Sequence, residues 1–341
     1  MNAIAPAPTA RPRTLPFALK TLALYTSALL AAMGAMAIAC PPAQALSAPD
    51  QPELSRPVIA GKTAIKVSWE QVDNATGYHV YTIEEDGSLK KVGSTPSKGR
   101  TSFVVDGLEP KQSYTFTVRA VKKKGDDTVL STWDEEGRSI KLAYSWKYKD
   151  GNKLCYDAAG KLIKDVDGII GKRSKYLLKV NTQRCVVTAY AWDSAKKKYC
   201  VPVKSWLCSP SNYTSSGTWS SGVKHRFWTL FYNSYSQWTM QIHGNILFHT
   251  VPYTSYGNKT ALSVTEYNKL GTAASHGCVR MPCDGMKWIY DRCSSGTTVT
   301  IYRSSDPGPF GKPSLQKLPK WHTWDPTDPT CKSLCTKHGC H

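Results

Sequence analysis

The sequence predicts a mainly β protein made of two β domains in tandem, with little helix. Three observations carry this. At 341 residues the chain exceeds one ordinary domain. Short alternating strands separated by turn residues recur across residues 58–142, and a second β-rich region follows over 172–303. Eleven tryptophans and 18 tyrosines point towards β-rich architecture or carbohydrate-facing surfaces, without choosing between them.

The elements follow in chain order. Arg11, Arg13 and Lys20 precede an uncharged run from Thr21 to Ala39, and Ala43-Gln44-Ala45 follows. A positive start, an apolar run and an A-x-A site read as an export signal over residues 1–45. The run is also long enough to anchor the chain in a membrane if it is not cleaved. A lipid-modified Cys40 is a weaker alternative, because Ala37 stands where a leucine is usual. Each outcome places the rest of the chain outside the cytoplasm, which removes nucleic acid as the main partner. The whole chain carries a net charge of +19, and residues 1–45 hold three positive and no negative charges, so +16 remains without them. Such a charge suits anionic cell-wall polymers. The expected localisation is secreted and wall-associated, or held at the membrane by an uncleaved N-terminus.

Residues 46–57, rich in Pro, Ser and Ala, read as a linker. Alternation then marks Ala64–Trp69, Gly77–Tyr81, Thr101–Val105 and Tyr114–Ala120 as strands of an antiparallel sandwich. Trp69 and the run Leu108-x-Pro110-x3-Tyr114-x-Phe116-x-Val118-x-Ala120 resemble a fibronectin type III domain over residues 58–142. The resemblance implies a buried core tryptophan at Trp69 and a tyrosine corner at Tyr114. It also implies a spacer or weak binding module.

Residues 143–171 hold Trp146-Lys147-Tyr148-Lys149-Asp150-Gly151 and Cys155-Tyr156-Asp157. This single unit is similar to wall-binding hairpin repeats, which need several copies to bury a core, so a connecting hairpin is expected.

In residues 172–303, Tyr176–Val180 and Val186–Tyr190 read as paired strands. Thr214–Trp219 reads as a loop leading into a strand. Met240–His243 and Ile246–His249 flank a Gly244-Asn245 turn, and Met286–Tyr290 fits a short amphipathic helix. The chemistry gathers near Cys278. A cysteine nucleophile needs its thiolate, and His249 or His276 can take the proton. Gly277 permits an unusual backbone angle. Amides around Gly277 and Cys278 suit an oxyanion. Arg280 suits a substrate carboxylate. No C-x2-C pair or other compact ligand set surrounds Cys278, so no metal site is expected there.

The string Ser275-His276-Gly277-Cys278-Val279-Arg280, preceded by Leu247-Phe248-His249-Thr250-Val251-Pro252, resembles the catalytic motif of YkuD-type L,D-transpeptidases. The resemblance spans roughly 130 residues. It implies a β-sandwich or barrel-like catalytic domain with Cys278 as nucleophile, His249 as proton acceptor and donor, and His276 in support. Ser275, Gly277 and Arg280 would line the substrate site. Implied too are a thioester on Cys278, loss of a terminal D-alanine from a peptidoglycan stem, 3→3 cross-linking, acylation by carbapenems, and no cofactor. An L,D-carboxypeptidase with water as acceptor and a non-catalytic wall-binding protein are the alternatives. No protein partner is identifiable. His249 stands about ten residues farther from Cys278 than is usual in that family, so residues 251–272 read as a lid with Tyr253, Tyr256 and Tyr267. His243 is the rival base.

Ten cysteines follow Cys40. A bridge between Cys185 and Cys200 across a hairpin, or between Cys283 and Cys293 around the short helix, is one reading of an exported chain. The tail, residues 304–341, is Pro- and Gly-rich and ends in several Cys and His. It reads as disulfide-tied or disordered.

Overall fold

The computed structural model describes residues 46–338. The expected export signal, residues 1–45, lies outside them, as do Cys340 and His341.

The first domain is a two-sheet sandwich. One sheet orders β1 (Val58–Ile59), β2 (Ile65–Ser68) and β5 (Ser102–Val105). The other orders β4 (Leu89–Thr95), β3 (Gly77–Ile83), β6 (Ser113–Lys124) and β7 (Asp127–Leu130), and β8 (Arg138–Lys141) also pairs with β6. Alternation puts Ile65 and Val67 of β2, and Tyr78 and Val80 of β3, into the core. Trp69 is buried with its ring centroid 5.2 Å from that of Tyr78. Tyr114 makes the corner, its hydroxyl accepting from the Glu109 amide at 2.7 Å. Part of the segment read as a linker joins this sandwich: Leu54 is buried and bridges Trp69.

Strands β9 (Tyr144–Lys149) and β10 (Asn152–Asp157) form an antiparallel hairpin around Asp150 and Gly151, both at positive φ. Arg56 reaches Asp157 at 2.9 Å, tying the hairpin to the first domain. Helix α1 (Asp167–Ile170) follows, and a Cβ on Gly168 would meet the Ala60 carbonyl at 2.2 Å, so glycine allows that close approach.

The second domain also has two sheets. The first orders β13 (Lys198–Leu207), β12 (Val186–Asp193), β11 (Tyr176–Asn181), β19 (Thr298–Tyr302) and β14 (Gly217–Ser220), with β11 and β19 parallel. The second orders β15 (Lys224–Leu230), β16 (Ser234–His243), β17 (Ile246–Thr250) and β18 (Val279–Met281), with β17 and β18 parallel. Between β17 and β18 lies the short helix α2 (Val264–Tyr267). Helix α3 (Cys283–Arg292) buries Met286 and Ile289 and runs a full turn longer than the sequence suggests.

Both expected disulfides fail on geometry. The hairpin register sets Asp193 opposite Lys198 and Val186 opposite Leu207. Cys185 therefore faces Cys208, while Cys200 lies near Ala191, about 20 Å along the strand. Cys283 and Cys293 stand at opposite ends of α3, about 15 Å apart along its axis, beyond bridging reach.

The tail packs on the second domain. The Leu262 amide donates to the Thr323 carbonyl at 2.9 Å, and Asn268 exchanges two hydrogen bonds with Leu318. Asp325, fully buried, accepts from the Cys283 amide at 2.9 Å, and Thr327 accepts from the Asp284 amide. The tail thus caps the start of α3, which carries no side-chain cap of its own.

Candidate active site

His249 and Cys278 sit on neighbouring parallel strands. The register pairs His249 with Arg280 and Phe248 with Val279, which sets Cys278 beside Leu247. Residues two apart share a face, so Cys278, Arg280, Leu247 and His249 point the same way. Phe248, Val279 and Met281 fill the core behind them. His249, Cys278 and Arg280 all line one open cavity of about 440 Å³.

His249 is only 3% exposed. Its Nδ1 lies 2.6 Å from the Thr250 carbonyl oxygen. A carbonyl can only accept, so Nδ1 carries the hydrogen and Nε2 remains the acceptor. Burial lowers the imidazole to about 4, and the charge on Arg280 adds to this against the Thr250 bond. The ring is therefore neutral above pH 5 and able to take a proton.

Cys278 is partly exposed. Burial of its sulfur raises the thiol, while the Leu247 backbone and Arg280 pull it down. Sγ lies 3.7 Å from the Asn245 carbonyl oxygen. This cysteine therefore rests as a thiol and needs a base to ionise it.

The loop before Cys278 is braced from within. Ser275 Oγ donates to the Cys278 carbonyl at 2.6 Å and accepts from the Gly277 amide at 3.2 Å. Thr214 Oγ1 donates to the Gly277 carbonyl at 2.7 Å. Gly277 has φ +144°, and a Cβ there would come within 2.9 Å of Ile246 Cδ1. Ser275 thus shapes the loop. The Gly277 amide, expected to serve an oxyanion, is already turned toward Ser275 Oγ.

Arg280 is also engaged. It is 8% exposed and its Nη1 bonds the carboxylate of Glu266, which also holds Lys269 at 2.7 Å. Glu266 belongs to α2, whose N-cap Ser263 accepts from the Glu266 amide. His276 is exposed, its ring 5.6 Å from that of Tyr232. Tyr232, 85% exposed, lies at the tip of the β15–β16 hairpin, which closes one side of the cavity. His243 does not line this cavity; its ring stacks on Trp219 with centroids 4.1 Å apart.

The segment read as a lid is a packed wall. Tyr253 and Tyr267 are buried, and Tyr253 bridges both Tyr235 and Leu262; of the three tyrosines, Tyr256 alone is exposed. Sequence reasoning missed Glu266, Thr214 and Tyr232. The glutamate could have been sought as a counter-charge for Arg280, but no spacing rule marks the other two.

A family model for the L,D-transpeptidase catalytic domain (YkuD) matches residues 176–301, and one for the fibronectin type III domain matches residues 48–133. The chain carries a YkuD-type domain behind a fibronectin type III domain. Over 59 residues it is 44% identical to a putative L,D-transpeptidase, YciB, of Bacillus subtilis, a stretch that is 17% of this chain and 29% of that protein. Over 85 residues it is 39% identical to integrin beta-4 of Rattus norvegicus, which is 24% of this chain and 5% of that one. The chain thus spans less than a third of the length of either relative. Among solved structures, an L,D-transpeptidase from Mycobacterium smegmatis aligns with 74% of this chain and 99% of its own, at 10% identity and a TM-score of 0.29. The YkuD match ends just before the tail that caps α3, so this clamp on α3 lies outside the matched segment.

Proposed function

We propose that the YkuD-type domain is an L,D-transpeptidase of peptidoglycan, working through an acyl-enzyme on Cys278. The observation that carries this reading is the shared cavity. A thiol and a neutral, buried imidazole with a free Nε2 line it together.

In the first step His249 Nε2 takes the Cys278 proton. The sulfur attacks the carbonyl carbon that joins the third stem residue to D-alanine. The S–C bond forms, the C–N bond breaks, and D-alanine leaves as an amine carrying the proton from His249. A side-chain amine of a second stem then attacks the thioester. It loses a proton to His249, the amide forms, and the thiol is restored. The product is a 3→3 cross-link. Ser275 and Thr214 act as positioning residues that hold the loop around Gly277 and Cys278. Arg280, held in place by Glu266, keeps a positive charge beside His249 that favours the neutral ring. The chain acts outside the cytoplasm, and its basic surface supports association with anionic wall polymers. That association should weaken as salt rises.

The test is mass spectrometry of products from the full chain with disaccharide-tetrapeptide, beside Cys278→Ala. A cross-linked dimer lacking one D-alanine, absent with the variant, is expected. Tripeptide as sole product would replace transpeptidation by hydrolysis. No product and no adduct on Cys278 would overturn the catalytic reading.

A further inference from the structure

A second open cavity, of about 510 Å³, lies away from Cys278, where the first domain, the β9–β10 hairpin and the edge of the β12 sheet meet. Its lining is aromatic and basic. Tyr144 and Trp146 come from β9 and Trp192 from β12; Lys62, Lys153 and Arg173 surround them. The two β9 rings stand at alternate positions and share one face, and Tyr148 continues the same row. Around the Tyr148 ring, Lys153 and Lys196 place their Nζ atoms 5.6 and 5.3 Å from its centroid.

Trp192 stands out within its strand. Seven of the eight residues of β12 are buried, and Trp192 is the exposed one, at 48%. A large ring left in water on a buried strand is an informative exception to burial. The lining holds one carboxylate, Asp193. It is already engaged by the Tyr148 hydroxyl and by Lys153 at 3.2 Å, which leaves the charges of Lys62 and Arg173 in excess.

We propose that this groove binds an acidic glycan strand, with Trp146 and Trp192 stacking on sugar rings and Lys62 and Arg173 meeting carboxylates. Pyranose rings present apolar C–H faces that fit flat aromatic surfaces. A poly(glycerol phosphate) chain has charge but no rings to stack, so the two tryptophans favour a sugar polymer over that polyanion. Identifying the strand as the peptidoglycan backbone rests on the function proposed above; the acidic-glycan chemistry rests on the groove alone. Bound there, a strand would be held by its backbone while its stems reach Cys278.

The test measures binding of the full chain to three probes. These are glycan strands freed of their stem peptides and so bearing lactyl carboxylates, neutral chitohexaose, and poly(glycerol phosphate). The acidic glycan should bind best. Trp192→Ala should weaken it about tenfold, and Lys62→Glu about threefold with a shallower salt dependence. Both variants should keep the wild-type melting temperature and the rate of Cys278 acylation by a carbapenem. Equal affinity for poly(glycerol phosphate), or wild-type glycan affinity in both variants, would overturn the proposal. Glycan binding that survives in Cys278→Ala supports it. Binding by a wild-type chain that forms no acyl-enzyme also supports the groove, and removes the transpeptidase reading instead.

Discussion

The two sandwiches obey the same packing rules but differ in what they bury. In the fibronectin type III domain the buried polar side chains are Thr82, Thr95, Ser97, Thr117 and Ser131, all small and uncharged. Behind it, the YkuD-type domain and the tail packed on it bury His249, Arg280, Asp325 and Asp328. Ionisable groups are costly to remove from water unless partnered. One sandwich therefore fits a spacer, whereas the other maintains polar groups where chemistry or a clamp needs them. Experiments that perturb each set of groups can break this contrast or sharpen it.

The largest effect belongs to the cavity. Cys278→Ala should lower transpeptidation by at least about 10⁴-fold, since no other group can hold the acyl chain. His249→Ala should cost about 10²- to 10⁴-fold, and His243→Ala little, because that ring stacks on Trp219 outside the cavity. Steady-state kinetics on a tetrapeptide donor would check this. A large loss with His243→Ala and none with His249→Ala would reverse the base assignment. The pH profile sharpens the same point. With His249 near 4, kcat/KM should hold down to about pH 5 and fall only below it, rather than near the ordinary 6.5 of histidine. Iodoacetamide alkylation of Cys278 should stay slow at neutral pH and accelerate in alkali, because burial holds the thiol up.

Next comes the clamp. At pH 4, where the carboxyl keeps its proton, Asp325→Ala would leave the Cys283 amide without its acceptor and should cost about 1–2 kcal/mol. Burial raises this carboxyl from 3.8 to about 6, so the folded state holds its proton more tightly than the unfolded one. Its stabilising share is full below about pH 4 and is lost as pH rises through 6. His249 works in the opposite sense over the same range, since its folded value is depressed. Comparing wild type with Asp325→Asn cancels the histidine. The variant should gain on wild type between pH 4 and 7.5, by up to about 3 kcal/mol. Parallel melting curves at the two pH values would remove Asp325 as a buried charge.

Local order was legible in the sequence. Alternation marks β2, β11 and β12 read as a strand pair, and the Gly244-Asn245 turn fixes the β16–β17 hairpin that carries His249. Cys278 and its neighbours stand together in one string. What escaped was pairing between distant segments. Glu266 meets Arg280 through a short helix in the 251–272 segment, and Asp325 caps a helix that begins 42 residues before it. Neither partner has a periodicity that would reveal the other. The misplaced cysteine bridge has a simpler cause. Counting outward from the 194–197 turn sets Cys185 opposite Trp206, and two register shifts between β12 and β13 move it by two, to Cys208; neither count reaches Cys200.

The smallest effect tests the spacer side of the contrast. Tyr114→Phe removes one hydroxyl that joins its strand to Glu109, near solvent, in a domain with no buried charge. It should lower the stability of that domain by about 1 kcal/mol, a typical value for a single hydrogen bond. The rate of Cys278 acylation should not change, because no hydrogen bond runs from Tyr114 to the catalytic sheets. Calorimetry and carbapenem acylation on the same preparation would read both quantities. A slowed acylation would mean that the first sandwich shapes the active site. The route would then run through Arg56 and Asp157 or through Ala60 and Gly168, where the first domain touches the hairpin and α1 that lead into the second. Arg56→Ala would distinguish them, since it cuts the first route and leaves the second intact.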